Sequence, residues 1–254
     1  MPTPSHEGSN RLSLKPVRQF INSVFVPICV FVISLGSFSE AFILVDDFKT
    51  LVISKFSNAY EYETLSQIHV GNTRSYIENL LGAPAATKNI ATDLTVNYYT
   101  HEKYLVSGYY RGDRITAYTV VALSEGFAPP LSWYDDVSLN GQALANFSNQ
   151  PQSYSFDNAK TNRFFIEMTP NELSGFFQNA YLGTLQYGNS DINLSDLDAL
   201  YQADVYGSEQ QTLQKIEQYR AATLPNFYGL GELDIEILQQ GILSNGEFLS
   251  YFNN

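Results

Sequence analysis

The sequence predicts an α+β chain in three parts: an N-terminal transmembrane helix, a helix–helix–antiparallel-sheet module, and a mixed, largely helical C-terminal part. Three observations predict it. A run without charge spans residues 19–39. Two short helical patterns with clear stop signals lead into alternating aromatic and β-branched runs between residues 60 and 124. Capped helical patterns then recur after residue 190. The 18 Tyr and 17 Phe among 254 residues favour pleated, half-buried surfaces.

Charge narrows the classes of partner. Asp and Glu number 26 against 14 Lys and Arg, giving a net charge of −12, and nearly all the acid follows residue 39. An acidic body repels a phosphate backbone, so nucleic acid is excluded as an expected partner. Cys29 is the single cysteine, which rules out an internal disulfide, a Cys-based zinc site and a CxxC redox pair.

Residues 1–18 read as a cytoplasmic disordered tail carrying Arg11, Lys15 and Arg18. The 21 residues of 19–39 that follow are long enough as a helix to cross a bilayer core of about 30 Å. Pro27 is tolerable in such a helix. Positive residues before it and Glu40, Asp46 and Asp47 after it orient the body away from the cytoplasm, at the bacterial inner membrane. A signal peptide cleaved near Ser39-Glu40-Ala41 is the competing reading, although the apolar run is long for one. Phe42, Val45, Phe48, Val52 and Phe56 continue a helical stripe, so the helix is expected to run on to residue 57. That stripe would pack on its own chain or on a partner helix, a second copy of the chain included.

In the segment 60–124, Leu65 and Ile68 face inward from a first short helix that Gly71-Asn72 breaks. Thr73 or Asn72 caps a second helix bearing Tyr76, Ile77, Leu80 and Leu81. Gly82 suits the left-handed position after that helix, and Pro84 blocks its continuation. Leu94, Val96 and Tyr98 then alternate along a strand, and Gly112-Asp113 joins two further β-rich runs as a hairpin.

Gly71, Thr73, Ile77 and Leu81-Gly82-Ala83-Pro84, with eleven residues from glycine to glycine and a strand following, resemble the SmpA/OmlA (BamE-like) lipoprotein domain. The likeness covers about 60 of the 254 residues; Asn72 stands where that family has Met, and no lipidated cysteine precedes it. β-Lactamase inhibitor proteins share the same broad plan. The whole layout also resembles a bacterial family of single-pass envelope proteins. These resemblances imply a non-catalytic module that binds or scaffolds another protein of the cell envelope, or one that inhibits or regulates an envelope enzyme. No cofactor is implied.

The C-terminal part starts with a proline-punctuated connector, 124–136. The Gly141 to Pro151 stretch echoes the first module and suggests a degenerate second copy over 140–170. "QSYSFDN" and "RFFIEM" read as strands. Helices follow in "NLSDLDALYQADVYG" (193–207), with Ser195 as N-cap, and at 208–224. "PNFYGLGE" reads as an aromatic loop, and short helices close the chain.

Chemistry-bearing patterns are sparse. His6, His69 and His101 are scattered, with no G-x-S-x-G elbow and no H-E-x-x-H. The acids from Asp191 lack the glycine and the terminal Glu of a calcium loop, so they read as helix caps. Adjacent Asp135 and Asp136 point apart on an extended strand, which is not the geometry of a hydrolase pair; a glycan-acting enzyme is the remaining catalytic alternative. Arg111-Gly112-Asp113 is explained by its hairpin. The expected contact residues are therefore aromatic: Trp133 and Tyr134 in the connector, and Asn226, Phe227 and Tyr228 in the late loop.

Overall fold

The computed structural model describes residues 58–134, 136–148, 150–171, 178–190 and 192–252. Helices α1 (Ala59–Ser66) and α2 (Arg74–Leu81) precede a meander of β1 (Ala86–Ala91), β2 (Leu94–Thr100), β3 (Tyr104–Arg111) and β4 (Arg114–Ala122). A connector with one 3-10 turn, Leu144–Asn146, leads to β5 (Ser153–Ala159), β6 (Asn162–Asn171) and β7 (Gln178–Leu185). Then come α3 (Leu194–Tyr206), α4 (Glu209–Ala222), β8 (Phe227–Gly231), α5 (Ile235–Leu238) and α6 (Asn245–Phe252).

Thr73 accepts from the Tyr76 amide and so starts α2, while Asn72 is used elsewhere, accepting from the His69 amide. Gly71 and Gly82 both take positive φ, 91° and 87°. Ile77 is fully buried beneath α2. Gly112, at φ 59°, is the first of two turn residues between β3 and β4, the position where a type II′ hairpin takes glycine.

All eight strands form one antiparallel sheet in the order β1-β2-β3-β4-β8-β7-β6-β5. Two four-stranded halves thus meet where β4 pairs with β8. The expected helical C-terminal part is corrected by this: that part supplies four of the eight strands, β5 to β8. In this half the strands β5–β7 precede the helices α3 and α4, whereas in the first half the helices come first. The N-cap of α3 is Asn193, whose Oδ1 accepts from the Asp196 amide, in place of the expected Ser195.

The segment read as an aromatic loop is the central strand β8. Its glycines serve close approach rather than turning. A Cβ on Gly229 would meet the Tyr118 carbonyl, and one on Gly231 would meet Ala117. On β7 a Cβ on Gly183 would run into the Phe165 carbonyl of β6. All three glycines lie in the second half, where a Cβ would run into the neighbouring strand.

Neither face of the sheet is open. One carries Tyr99, Val106, Tyr110, Val120, Phe165 and Tyr228 under α1–α4 and the connector. An extra residue in β4, Thr116, shifts the register opposite Tyr109 and Tyr110, so Ile115 joins this face and Ala117 the other. Here Arg220 of α4 donates from Nε to Glu167 Oε2 of β6 at 2.6 Å and from a terminal nitrogen to the Ser148 carbonyl. Burial pushes the Glu167 carboxyl above its usual range, and Arg220 offsets that only in part.

The other face carries Val96, Tyr98, Tyr109, Ile166, Tyr181 and Phe227 against the segment 233–252. Three tyrosine hydroxyls donate to its main chain: Tyr98 to Gly241 at 2.8 Å, Tyr109 to Leu238 at 2.8 Å, and Tyr181 to Leu233. The same segment reaches both sheet edges. Glu247 pairs with Lys88 of β1 at 3.3 Å, and Gln239 bonds Ser155 of β5. Two edge strands that touch one short segment require a curled sheet, with 233–252 inside the curl.

Residues 1–57, where the cytoplasmic tail, the transmembrane helix 19–39, its extension and any self-pairing of that helix were expected, lie outside the described residues. Among the described residues no helix is long and apolar enough to cross a membrane. The single-pass, inner-membrane placement is corrected accordingly: the described part is a curled sheet with helices of at most 14 residues, and nothing in it carries that placement.

Candidate functional site

At one end of the sheet an open cleft of about 480 Å³ lies between the β2–β3 turn and α6, lined by Thr100, His101, Glu102, Leu123, Tyr187, Phe248 and Phe252. Pockets of this size are typical of ligand and peptide subsites. Its two walls differ in chemistry: one is a polar turn, the other is aromatic.

The polar wall is fixed from three directions. The His101 amide donates to the Tyr104 carbonyl at 2.9 Å and closes the turn. The His101 ring stacks on Tyr104, with centroids 4.7 Å apart and planes 13° from parallel. Ser124 Oγ donates to the Glu102 carbonyl at 3.0 Å, holding the turn to the end of β4. Lys103 Nζ pairs with Glu61 of α1 at 2.7 Å. Burial alone would push Glu61 up; the Lys103 hydrogen bond and charge outweigh it and hold the carboxyl below its usual range. The Glu102 side chain is exposed and forms no ion pair among the described residues.

The aromatic wall comes from α6 and the turn after β7. Ser244 and Glu247 form a reciprocal cap: the Glu247 amide donates to Ser244 Oγ at 3.3 Å, and the Ser244 amide donates to Glu247 Oε2 at 2.8 Å. Burial would raise the Glu247 pKa, yet these bonds and Lys88 bring it below the ordinary carboxylate value. That start aims Phe248 at Tyr187, with centroids 4.3 Å apart and planes 8° from parallel. Phe252, one turn later, lies 5.5 Å from Phe248. The result is an aromatic surface that shares one cleft with Glu102 and His101. Such an arrangement can hold an apolar side chain and a neighbouring cation.

The residues expected from sequence lie elsewhere. Trp133 and Tyr134 turn inward: Trp133 packs on Tyr228 at 5.7 Å, and the Tyr134 hydroxyl donates to the Phe147 carbonyl. Both are half-buried, and the Trp133 Nε1 is buried without a hydrogen-bond partner. Asn226, Phe227 and Tyr228 are buried, so they present no surface. Asn226 instead accepts from the Leu185 amide at 2.8 Å and donates to the Leu185 carbonyl at 3.0 Å, fastening β8 to the end of β7. Gly71, Thr73, Ile77, Leu81, Gly82 and Pro84 shape α2 and its exits, away from the cleft. Asp136 is exposed at φ 55°, and Asp135 lies outside the described residues. Phe248 and Phe252 escaped sequence reading because aromatic residues at helical spacing read as core, and Tyr187 because it stands alone in the turn after β7. The signal available was the i, i+4 pair Phe248 and Phe252 on a helix with no charge after Glu247.

No protein-family model matches the sequence, and no curated protein matches it. Among solved structures the chain is similar to a cysteine-rich secretory protein from Staphylococcus aureus, with 10% identity and a TM-score of 0.33, over 70% of this chain and 48% of that one. The chain thus spans about half the length of that protein. A likeness this loose decides nothing about function, and none of these comparisons concerns the BamE-like domain.

Proposed function

We propose that residues 58–252 form a non-catalytic protein-binding module whose contact point is the cleft between the β2–β3 turn and α6. The occupant is a peptide segment of a partner protein that presents an aromatic or branched apolar side chain beside Lys or Arg. One observation carries this reading: Glu102, which forms no ion pair among the described residues, lines the same cleft as the Tyr187–Phe248–Phe252 surface. An apolar side chain would take the aromatic wall, and the cation would meet Glu102 in a chain whose net charge is −12. The resemblance of residues 60–124 to BamE-like modules supports a scaffolding role.

The test is selection of a displayed heptapeptide library on the full-length chain. Sequences pairing Phe, Trp or Leu with an adjacent Arg or Lys should be enriched. Their binding should weaken by about tenfold with Phe252→Ala, since anchor residues dominate small interfaces. Glu102→Lys, a fully surface change, should weaken it as well. Enriched peptides that bind both variants as well as the parent would refute the proposal.

A further inference from the structure

A second surface, distinct from the cleft, lies on α3. Its inner side is used as expected: Leu197 and Leu200 are fully buried under the sheet-facing side. Yet Leu194, Tyr201 and Val205 recur on the flank beside it at i, i+7 and i+11, and stay 46%, 40% and 49% exposed. Tyr206 closes the helix at 80% exposed. Single exposed apolar residues are ordinary. Four on a helix of 13 residues, three of them on one stripe, make a patch.

Acid outnumbers base around this patch, whose cations are Lys160 and Arg163 of the adjoining β5–β6 hairpin, Arg163 standing across from the Asn158 that donates to Asp198 at 3.1 Å. Asp198 lies on the stripe itself, Asp204 beside it, and Glu209 opens the neighbouring helix α4; all three are exposed. α3 contains no Lys or Arg. On α4, Lys215 is turned to Gln218 and Arg220 is buried against Glu167, so neither neutralises the patch.

From this we infer that the exposed flank of α3 docks a basic amphipathic helix of a partner protein, with apolar residues at helical spacing and Lys or Arg flanking them. Helix-on-helix recognition uses i, i+4, i+7 anchors of this kind. Charge selects this occupant over the others. A second copy would bring Asp198, Asp204 and Glu209 against themselves, and phosphate groups or an anionic membrane would meet the same repulsion.

The probe is a fluorescein-labelled 18-residue helical peptide of Leu and Lys, with a Leu and Glu peptide of the same apolar pattern as control. Anisotropy is measured on the full-length chain near physiological ionic strength. The Lys peptide should bind, and the Glu peptide should not. The pair Tyr201→Ser with Val205→Ser should weaken binding at least tenfold, and so should Asp198→Lys with Asp204→Lys. Thermal melting of both variants reports that the fold is retained; these side chains are exposed. Three results would each overturn the inference: no binding of the Lys peptide, binding indifferent to the apolar pair, or a parent chain that sediments as a dimer and becomes monomeric with either pair.

Discussion

Four helices and a long connector cover one face of the sheet, while the single segment 233–252 covers the other. The first cover is broad and mostly apolar, with one buried ion pair, Glu167–Arg220, tying α4 to β6. The second is narrow. It is held by apolar anchors such as Leu238 and Ile242, and by three tyrosine hydroxyls that reach its carbonyls. A broad cover can afford irregular loops. A narrow one inside a curled sheet must have its own main chain satisfied by side chains from the strands, since it forms no ladder with them. This is also why the cleft sits where it does: α6 is the end of that narrow cover, fixed at its start by Ser244 and Glu247 and free to present Phe252 at its finish.

The largest expected effect is alkaline, and both faces contribute to it. Burial raises the phenol pKa of Tyr98, Tyr109 and Tyr181 above the ordinary value of 10, and that of Tyr104 to about 12. A folded-state pKa above the unfolded one means that the native state holds its protons more tightly. The stabilisation is therefore complete below about pH 10 and is lost as pH rises through the folded values. Circular dichroism against pH should show cooperative unfolding above pH 10, coincident with phenolate absorbance. Free titration of these phenols near pH 10 in a folded chain would contradict their burial.

Next in size is Glu167→Ala on the helical face. It leaves the Arg220 charge buried with only the Ser148 carbonyl, and should cost about 3–5 kcal/mol in denaturant unfolding. The smallest is Tyr109→Phe on the other face. It removes one donor to the Leu238 carbonyl without changing the ring, and should cost about 1 kcal/mol. A loss for Tyr109→Phe as large as that for Glu167→Ala would mean that the segment 233–252 depends on that single bond.

Much of the fold could be read from particular residues. Thr73, Gly82 and Pro84 bound α2 because cap and stop chemistry is local. The β2–β4 alternation is likewise local, apart from the bulge at Thr116. β8 could not be read. Its Asn-Phe-Tyr-Gly-Leu-Gly pattern has the composition of a turn, and only the crowding against Ala117 and Tyr118 explains the glycines. That crowding comes from residues more than a hundred positions away. The placement of the five expected contact residues is non-local too: Trp133 of the connector meets Tyr228 of β8. The cleft is equally non-local, since it joins residues 100–102 to 248–252.

A partner peptide seated against α6 and the β2–β3 turn would perturb the amides of both walls of the cleft. The most direct measurement is two-dimensional amide NMR of the full-length chain titrated with acetyl-Leu-Phe-Arg-amide. Shifts should be confined to residues 100–103, Leu123, Tyr187 and 245–252, and should disappear with Glu102→Lys. Shifts confined to residues 194–206, or none at saturating peptide, would contradict that seating.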